Sequence, residues 1–336
     1  MENKKKAYFA MSMATVLIMV ISALSDELSA ILGYLTGKYY ISIENVIVSI
    51  LSSFKISVPM AKVFAKELLS SGIHLHIISL IVIVVTMVIP ALIFSKAVHL
   101  TFDETFPVGG KKIKGLFTFF CTTQLITYFI SEFSGGLYDF IVPPVPDIYT
   151  GNFEAISPSV FSLIMSVLCT CILVPVCEEY IFRGVLFSYL SRYGLSFGII
   201  ASAVLFGVAH SAPTQSVFAF TFGIISAFAV AITGNIKTSV ILHAMNNTIS
   251  VIFGYLPIYL TESMTGIIFC IFSCVTTFVG IIGIYRFCKD KGLMDEFCEK
   301  CKVCDPKEPH GLKQLLVFPL VIYVIIYAYN FCTQVM

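Results

Sequence analysis

Nine apolar runs constrain this chain more than any other feature: 7–24, 77–95, 115–133, 159–178, 195–210, 216–234, 240–256, 264–285 and 315–331. A helix rises 1.5 Å per residue, so about 20 residues cross the ~30 Å apolar core of a bilayer, and runs of this kind read as transmembrane helices. Composition agrees, with hydrophobic residues at 57% and charged residues at 12%. A soluble domain carries about twice that charge. Mean hydropathy is +0.92. The sequence therefore predicts an all-α polytopic membrane protein, a bundle of about eight to nine transmembrane helices with a site between the central ones. With a net charge of +1, no basic tract and no glycine-rich phosphate loop, the expected partner is the lipid bilayer and not nucleic acid.

The loops between runs alternate in charge. Lys4, Lys5 and Lys6 precede the first run. Lys96, Lys111, Lys112 and Lys114 follow the second, Arg183 and Arg192 the fourth, Lys237 the sixth, and Arg286 through Lys313 the eighth. Loops 134–158, 211–215 and 257–263 contain no lysine or arginine. By the positive-inside rule this predicts a cytoplasmic N-terminus and an extracytoplasmic C-terminus, in a multi-pass protein of the cell membrane. Loop 25–76 is an extracytoplasmic exception with Lys38, Lys55, Lys62 and Lys66, but long loops obey the rule weakly. Its mix of apolar runs and isolated charges suggests a helix on the membrane surface or capping the bundle. The first run is read as an uncleaved helix in preference to a signal peptide, because 18 apolar residues can span. Three segments follow: 1–158, N-terminal helices with the long loop; 159–256, a helical core; and 257–336, C-terminal helices with a cysteine-rich cytoplasmic loop.

Of 11 cysteines, Cys121, Cys169, Cys171, Cys177, Cys270 and Cys274 fall in predicted spans and Cys332 at the end of the last, where a thiol behaves as a small apolar residue. Cys288, Cys298, Cys301 and Cys304 lie in the basic loop before the last run. Their spacing is ligand-like, and Cys288 or His310 would complete a tetrahedral zinc set. Only one of the usual two paired-cysteine knuckles is present, so reduced surface thiols are the preferred reading and a structural metal the alternative.

The polar residues at membrane depth carry the chemistry. Glu178 and Glu179 end an almost uncharged run, and Arg183 follows one helical turn after Glu179, in the favourable order for an ion pair. Glu178 projects about 100° away from Glu179, so one carboxylate can brace the helix while the other works. His210 closes the fifth run. His243 and Asn247 lie one turn apart in the seventh, with Asn246 about 100° round and packing elsewhere. A glutamate and a histidine sharing one water can remove its proton. A second histidine and an asparagine amide can donate to the oxyanion of a tetrahedral intermediate. Glu178, His210 and His243 can alternatively bind zinc with an open position for water. A transporter using these groups as a proton relay is a further alternative, without the inverted repeats that would support it.

Glu178-Glu179-x-x-x-Arg183 with Gly184, then Phe206-x-x-x-His210, then His243-x-x-x-Asn247 resembles the signature of the CAAX-prenyl-protease and bacteriocin-processing (CPBP, Abi) family of intramembrane endopeptidases. The resemblance covers about 160–256. It implies that Glu178 activates water with His210, that His243 and Asn247 hold the oxyanion, and that Glu179 and Arg183 support the helix. It also implies a membrane-associated peptide or protein as substrate. Family members were long called metalloproteases; the metal-free glutamate mechanism is the one carried over, requiring no cofactor, with zinc as the alternative. A non-catalytic immunity or peptide-binding protein would keep the same fold.

Overall fold

The structure is a computed structural model describing residues 2–70, 73–111, 115–141, 160–210, 213–304, 315–317 and 319–325. Among these residues the chain forms helices and no strand. It begins with α1 (Glu2–Lys38), α2 (Tyr40–Ser53) and α3 (Val58–Ser70). α4 (Ile73–Val82) runs through a π-helical segment (Ile83–Val88) into α5 (Ile89–Ala97), followed by the single turn α6 (Phe102–Thr105) and α7 (Leu116–Ile141). One continuous rod comprises α8 (Val160–Ser166), π segment Val167–Leu173, α9 (Val174–Glu179), π segment Tyr180–Leu186 and α10 (Phe187–Ser191). α11 (Leu195–Val208), α12 (Pro213–Thr233), α13 (Ile236–Tyr259), α14 (Glu262–Lys289) and α15 (Lys291–Cys304) follow.

Among the described residues, six helices are long and apolar enough to cross a membrane: Lys4–Lys38, Ile77–Ala97, Leu163–Ser191, Gln215–Thr233, Ile236–Tyr259 and Glu262–Lys289. They coincide with six of the nine predicted runs. The third run forms α7, whose 26 residues include the polar Gln124 and Glu132. The fifth forms α11, only 14 residues long. The ninth is helical over 319–325; its residues 318 and 326–331, with loop residues 142–159, 211–212 and 305–314 and hence His310, lie outside the described residues.

Two boundaries differ from the sequence reading. The first helix does not stop at 24 but continues to Lys38, and the expected loop 25–76 holds the rest of it with α2 and α3. Asp26 and Glu27 mark where apolarity ends, yet charge does not break a helix whose backbone bonds remain intact. The fourth helix likewise continues past 178 to Ser191. Glu178 and Glu179 therefore sit inside a rod.

Proline explains two of the three π segments. Pro90 and Pro175 stand at the first turns of α5 and α9, immediately after the wide turns. A proline lacks an N–H and crowds the carbonyl four residues back, and a local widening relieves both faults.

Close contacts between small residues hold the central helices together. On α11, Ala203 and Gly207 lie one turn apart and face Gly223 and Phe220 of α12; a Cβ on Gly223 would stand 3.0 Å from Ala203. Lipid offers little hydrophobic drive between helices, so such close approach supplies packing through van der Waals contact. One core takes residues from all three sequence segments, including Ala10, Phe120, Ile181, Leu205 and Leu320.

The basic loops gather at one end of the bundle. Arg192, in the α10–α11 turn, donates to Val98 O at 2.9 Å and His99 O at 3.0 Å, beyond α5. Ile236 N donates to Pro107 O at 2.8 Å, and Lys111 N donates to Thr233 O at 2.7 Å. Helix α15 is fastened across the same end. Its Lys300 Nζ donates to Ala231 O and Ile232 O at 3.2 Å each, capping α12, and Phe297 packs on Phe228 with centroids 4.8 Å apart. Glu296 lies 3.0 Å from Lys111, which holds its carboxyl below the usual range, with Lys300 adding to the effect.

Candidate active site

The site is assembled where the rod of α8–α10 meets α11 and α13. Its depth follows from segment 102–111. Gly184 lies so close to Thr105 O that a Cβ there would overlap the carbonyl. Two residues later, Pro107 O accepts from Ile236 at the start of α13. The α12–α13 turn therefore sits near the level of Gly184, and the rod projects about 10 Å further, to Ser191. This resolves a difficulty in the sequence, where His243 lies only six residues beyond Lys237 yet must reach the depth of the carboxylates.

Glu179 and Arg183 form the expected ion pair, Oε1 to Nη1 at 3.0 Å, with side chains 0% and 1% exposed. The contact lacks hydrogen-bond alignment: Arg183 Nη1 and Nη2 and Glu179 Oε2 have no hydrogen-bond partner among the described residues. The guanidinium lies instead over the face of Phe206, its Cζ 4.3 Å from the ring centroid, where cation–π attraction replaces part of its lost hydration. Glu179 also accepts from His243 Nδ1 at 2.9 Å. Arg183 is the partner expected from the spacing; His243 is a second one.

Glu178 is the more open carboxylate, its side chain 19% exposed. Its Oε2 lies 3.9 Å from His243 Nε2, so the imidazole stands between the two glutamates, one at each nitrogen. The sequence paired Glu178 with His210, but the imidazole within ion-pair distance of it is that of His243.

His210 follows the last turn of α11, its N–H bonded to Gly207 O at 3.1 Å and its carbonyl accepting from Ser216 Oγ at 2.8 Å. Its Nδ1 lies 2.8 Å from Phe206 O. A carbonyl only accepts, so Nδ1 carries the hydrogen, and in the neutral ring Nε2 presents a lone pair. The Phe206 ring is flanked by both imidazoles, with centroids 4.7 Å from His210 and 6.0 Å from His243. Phe182 and Phe222 extend this apolar wall.

Asn247 is bonded through a gap created by proline. Val174 N–H reaches back five residues to Cys169 O. In that register Thr170 O would be served by residue 175, a proline without an N–H. Asn247 Nδ2 donates to Thr170 O at 2.9 Å instead, leaving one amide hydrogen for another acceptor. Its Oδ1 accepts from Asn246 Nδ2 at 3.3 Å, and Asn246 Oδ1 accepts from Gln124 Nε2 at 3.1 Å. Gln124 and Asn246 did not enter the sequence-predicted site. The available signal was a glutamine within the apolar run of α7.

Among the described residues, no three His, Cys, Asp or Glu side chains converge enough to hold a metal ion. Glu178, His210 and His243 thus do not form a ligand set in this structure. In the cysteine-rich loop Cys288 and Cys298 are exposed and Cys301 is half-buried against α11 and α12, while the side chain of Cys304, and His310, lie outside the described residues, so the four-cysteine set expected from the sequence falls outside them too. A cavity of about 630 Å³ opens at the basic end between Lys111, Thr122, Thr233 and Arg286, and its lining includes none of the motif residues.

Residues 160–249 match the family model described as type II CAAX prenyl endopeptidase Rce1-like. The matched segment resembles a CPBP-type core. It takes in the rod, α11, α12 and the first half of α13, and so contains all three motifs. A curated relative, "Putative membrane peptidase YdiL" of Bacillus subtilis (strain 168), is 29% identical over 143 residues, covering 41% of this chain and 59% of the relative. The chain thus spans somewhat more than half of that relative's length. No solved structure matches the chain.

Proposed function

We propose that the chain is an intramembrane endopeptidase, hydrolysing a peptide bond in a membrane-associated peptide or protein. The observation that carries this is the inequality of the adjacent carboxylates. Glu179 is wholly buried and tied to Arg183 and His243, whereas Glu178 is partly open and within 3.9 Å of an imidazole. The likeness to a peptidase family over the same residues supports it.

In this reading Glu178, assisted by the lone pair of His210 Nε2, takes a proton from a water as its oxygen attacks the scissile carbonyl. Glu179 fixes His243 by its Nδ1, which turns Nε2 toward Glu178 and the reacting group. When protonated, that nitrogen donates to the oxyanion together with the second amide hydrogen of Asn247. Collapse of the intermediate breaks the C–N bond, and the proton held by Glu178 passes to the leaving amine. No step requires a metal. The basic end, with Lys96, Lys111, Arg192, Lys237 and Arg286, faces the cytoplasm, which puts the N-terminus inside and the C-terminus outside.

The test is cleavage of a quenched peptide library by purified protein in detergent, with Cys288, Cys298, Cys301 and Cys304 replaced by serine so that metal on those thiols does not confuse the result. Cleavage that persists under chelation, without bound metal, is expected. Stoichiometric metal that disappears with His210→Ala would replace the glutamate mechanism by a zinc one. Peptide binding without cleavage would leave a peptide-binding protein.

A further inference from the structure

We propose that Gln124, on α7 and outside the segment that matches the peptidase family, is a positioning residue for Asn247, acting through Asn246. The proposal rests on the proteolytic reading above.

Gln124 is 1% exposed. It heads a chain of three amides: Gln124 Nε2 to Asn246 Oδ1 at 3.1 Å, Asn246 Nδ2 to Asn247 Oδ1 at 3.3 Å, and Asn247 Nδ2 to Thr170 O at 2.9 Å. The direction of the chain is fixed at its far end. A backbone carbonyl only accepts, so Asn247 must present its nitrogen to Thr170 and its oxygen to Asn246. Asn246 must then offer its nitrogen to Asn247 and its oxygen to Gln124, which is left to donate. Each amide therefore has one orientation in which every link is a donor facing an acceptor.

This matters for the one free hydrogen on Asn247. With Oδ1 held by Asn246 and one hydrogen on Thr170, the second can point only along the remaining direction of a planar amide. Without the Gln124 donor, Asn246 can rotate or flip, Asn247 loses the restraint on its oxygen, and its free hydrogen loses a fixed aim. Small misplacement of a group that stabilises a transition state lowers turnover while leaving substrate binding nearly intact. Gln124 Oε1 has no hydrogen-bond partner among the described residues, so replacing the amide by an apolar group of similar shape does not strand a donor on that side.

The test uses the full chain and the library peptide that wild type cleaves fastest. Gln124→Met should lower kcat about tenfold with KM within about twofold. Asn246→Asp still accepts from Gln124 but has no N–H for Asn247, and should give the same loss. In an Asn247→Ala background, Gln124→Met should change kcat by less than about twofold, because the group it positions is gone. Wild-type kcat in both single variants would overturn the proposal, as would an equal loss from Gln124→Met in both backgrounds, which would show that Gln124 only supports the bundle. If wild type cleaves nothing in the library, the proteolytic reading falls and this proposal falls with it.

Discussion

Replacing Arg183 by alanine should damage the fold before it damages the chemistry. The side chain is 1% exposed and lies 3.0 Å from a glutamate that is wholly buried. Removing one partner of a buried pair typically costs about 3–5 kcal/mol, because the other charge is left without compensation. The cation–π contact with Phe206 at 4.3 Å adds to the loss. Two features reduce it. His243 still donates to Glu179, and the poorly bonded Nη1 and Nη2 are removed together with their own desolvation cost. The lower end, about 3 kcal/mol, is therefore expected, a large share of a total stability of about 5–15 kcal/mol. At roughly 2–4 °C per kcal/mol the unfolding midpoint in detergent should fall by about 6–12 °C, with reduced yield. Arg183→Met combined with Glu179→Gln removes both charges and should recover most of the midpoint, but not activity, since His243 loses its carboxylate. A midpoint for Arg183→Ala within about 2 °C of wild type, with activity lost, would refute this reasoning and make Arg183 a substrate-binding group.

Gly184→Ala places a Cβ against Thr105 O and should cost about 1–3 kcal/mol, seen as a lowered midpoint and faster hydrogen exchange over 102–106; an unchanged midpoint would contradict the packing. Glu104 accepts from Thr101 N at 2.7 Å and pairs with Arg192 at 3.0 Å, and these contacts, the backbone bond foremost, hold its carboxyl below the ordinary value of 4.5. A lowered folded-state value means the contribution is complete above about pH 4.5 and is lost as pH falls through the folded-state value. Exchange protection of 98–106, corrected for intrinsic rates, should therefore hold from pH 7 to 5 and fall only in stronger acid; loss between pH 7 and 5 would count against the clamp. For topology, an impermeant maleimide should reach exposed Cys298 from the cytoplasmic side alone, and labelling from outside would invert the orientation.

The helices were legible because apolarity at membrane depth and helical backbone bonding impose the same pattern. Their ends were less so. Asp26 and Glu179 both interrupt apolar runs without ending helices, since a charge can be carried to water or paired while the backbone continues. The turn at Arg192–Gly194 falls in the basic loop between the fourth and fifth runs, and Gly194 there has φ +138°. The ion pair of Glu179 with Arg183 could also be read, because it depends only on spacing along one helix. The contacts of His243 could not, because they depend on how far one helix slides past another. That depth is set by segment 102–111, far from the motifs in sequence. Gln124 was hidden for the same reason: its partner lies 122 residues away, and a single chain carries no mark of that pairing.

The central claim is that Glu178 does the chemistry while Glu179 holds the site, and turnover by Glu178→Gln tests it most directly. The amide keeps the shape of the side chain but cannot take the proton from water. The account predicts folded protein, with an unfolding midpoint close to wild type, and no measurable cleavage of the peptide that wild type cleaves. Turnover within about tenfold of wild type would contradict it, because removing a general base should cost at least about 10²-fold.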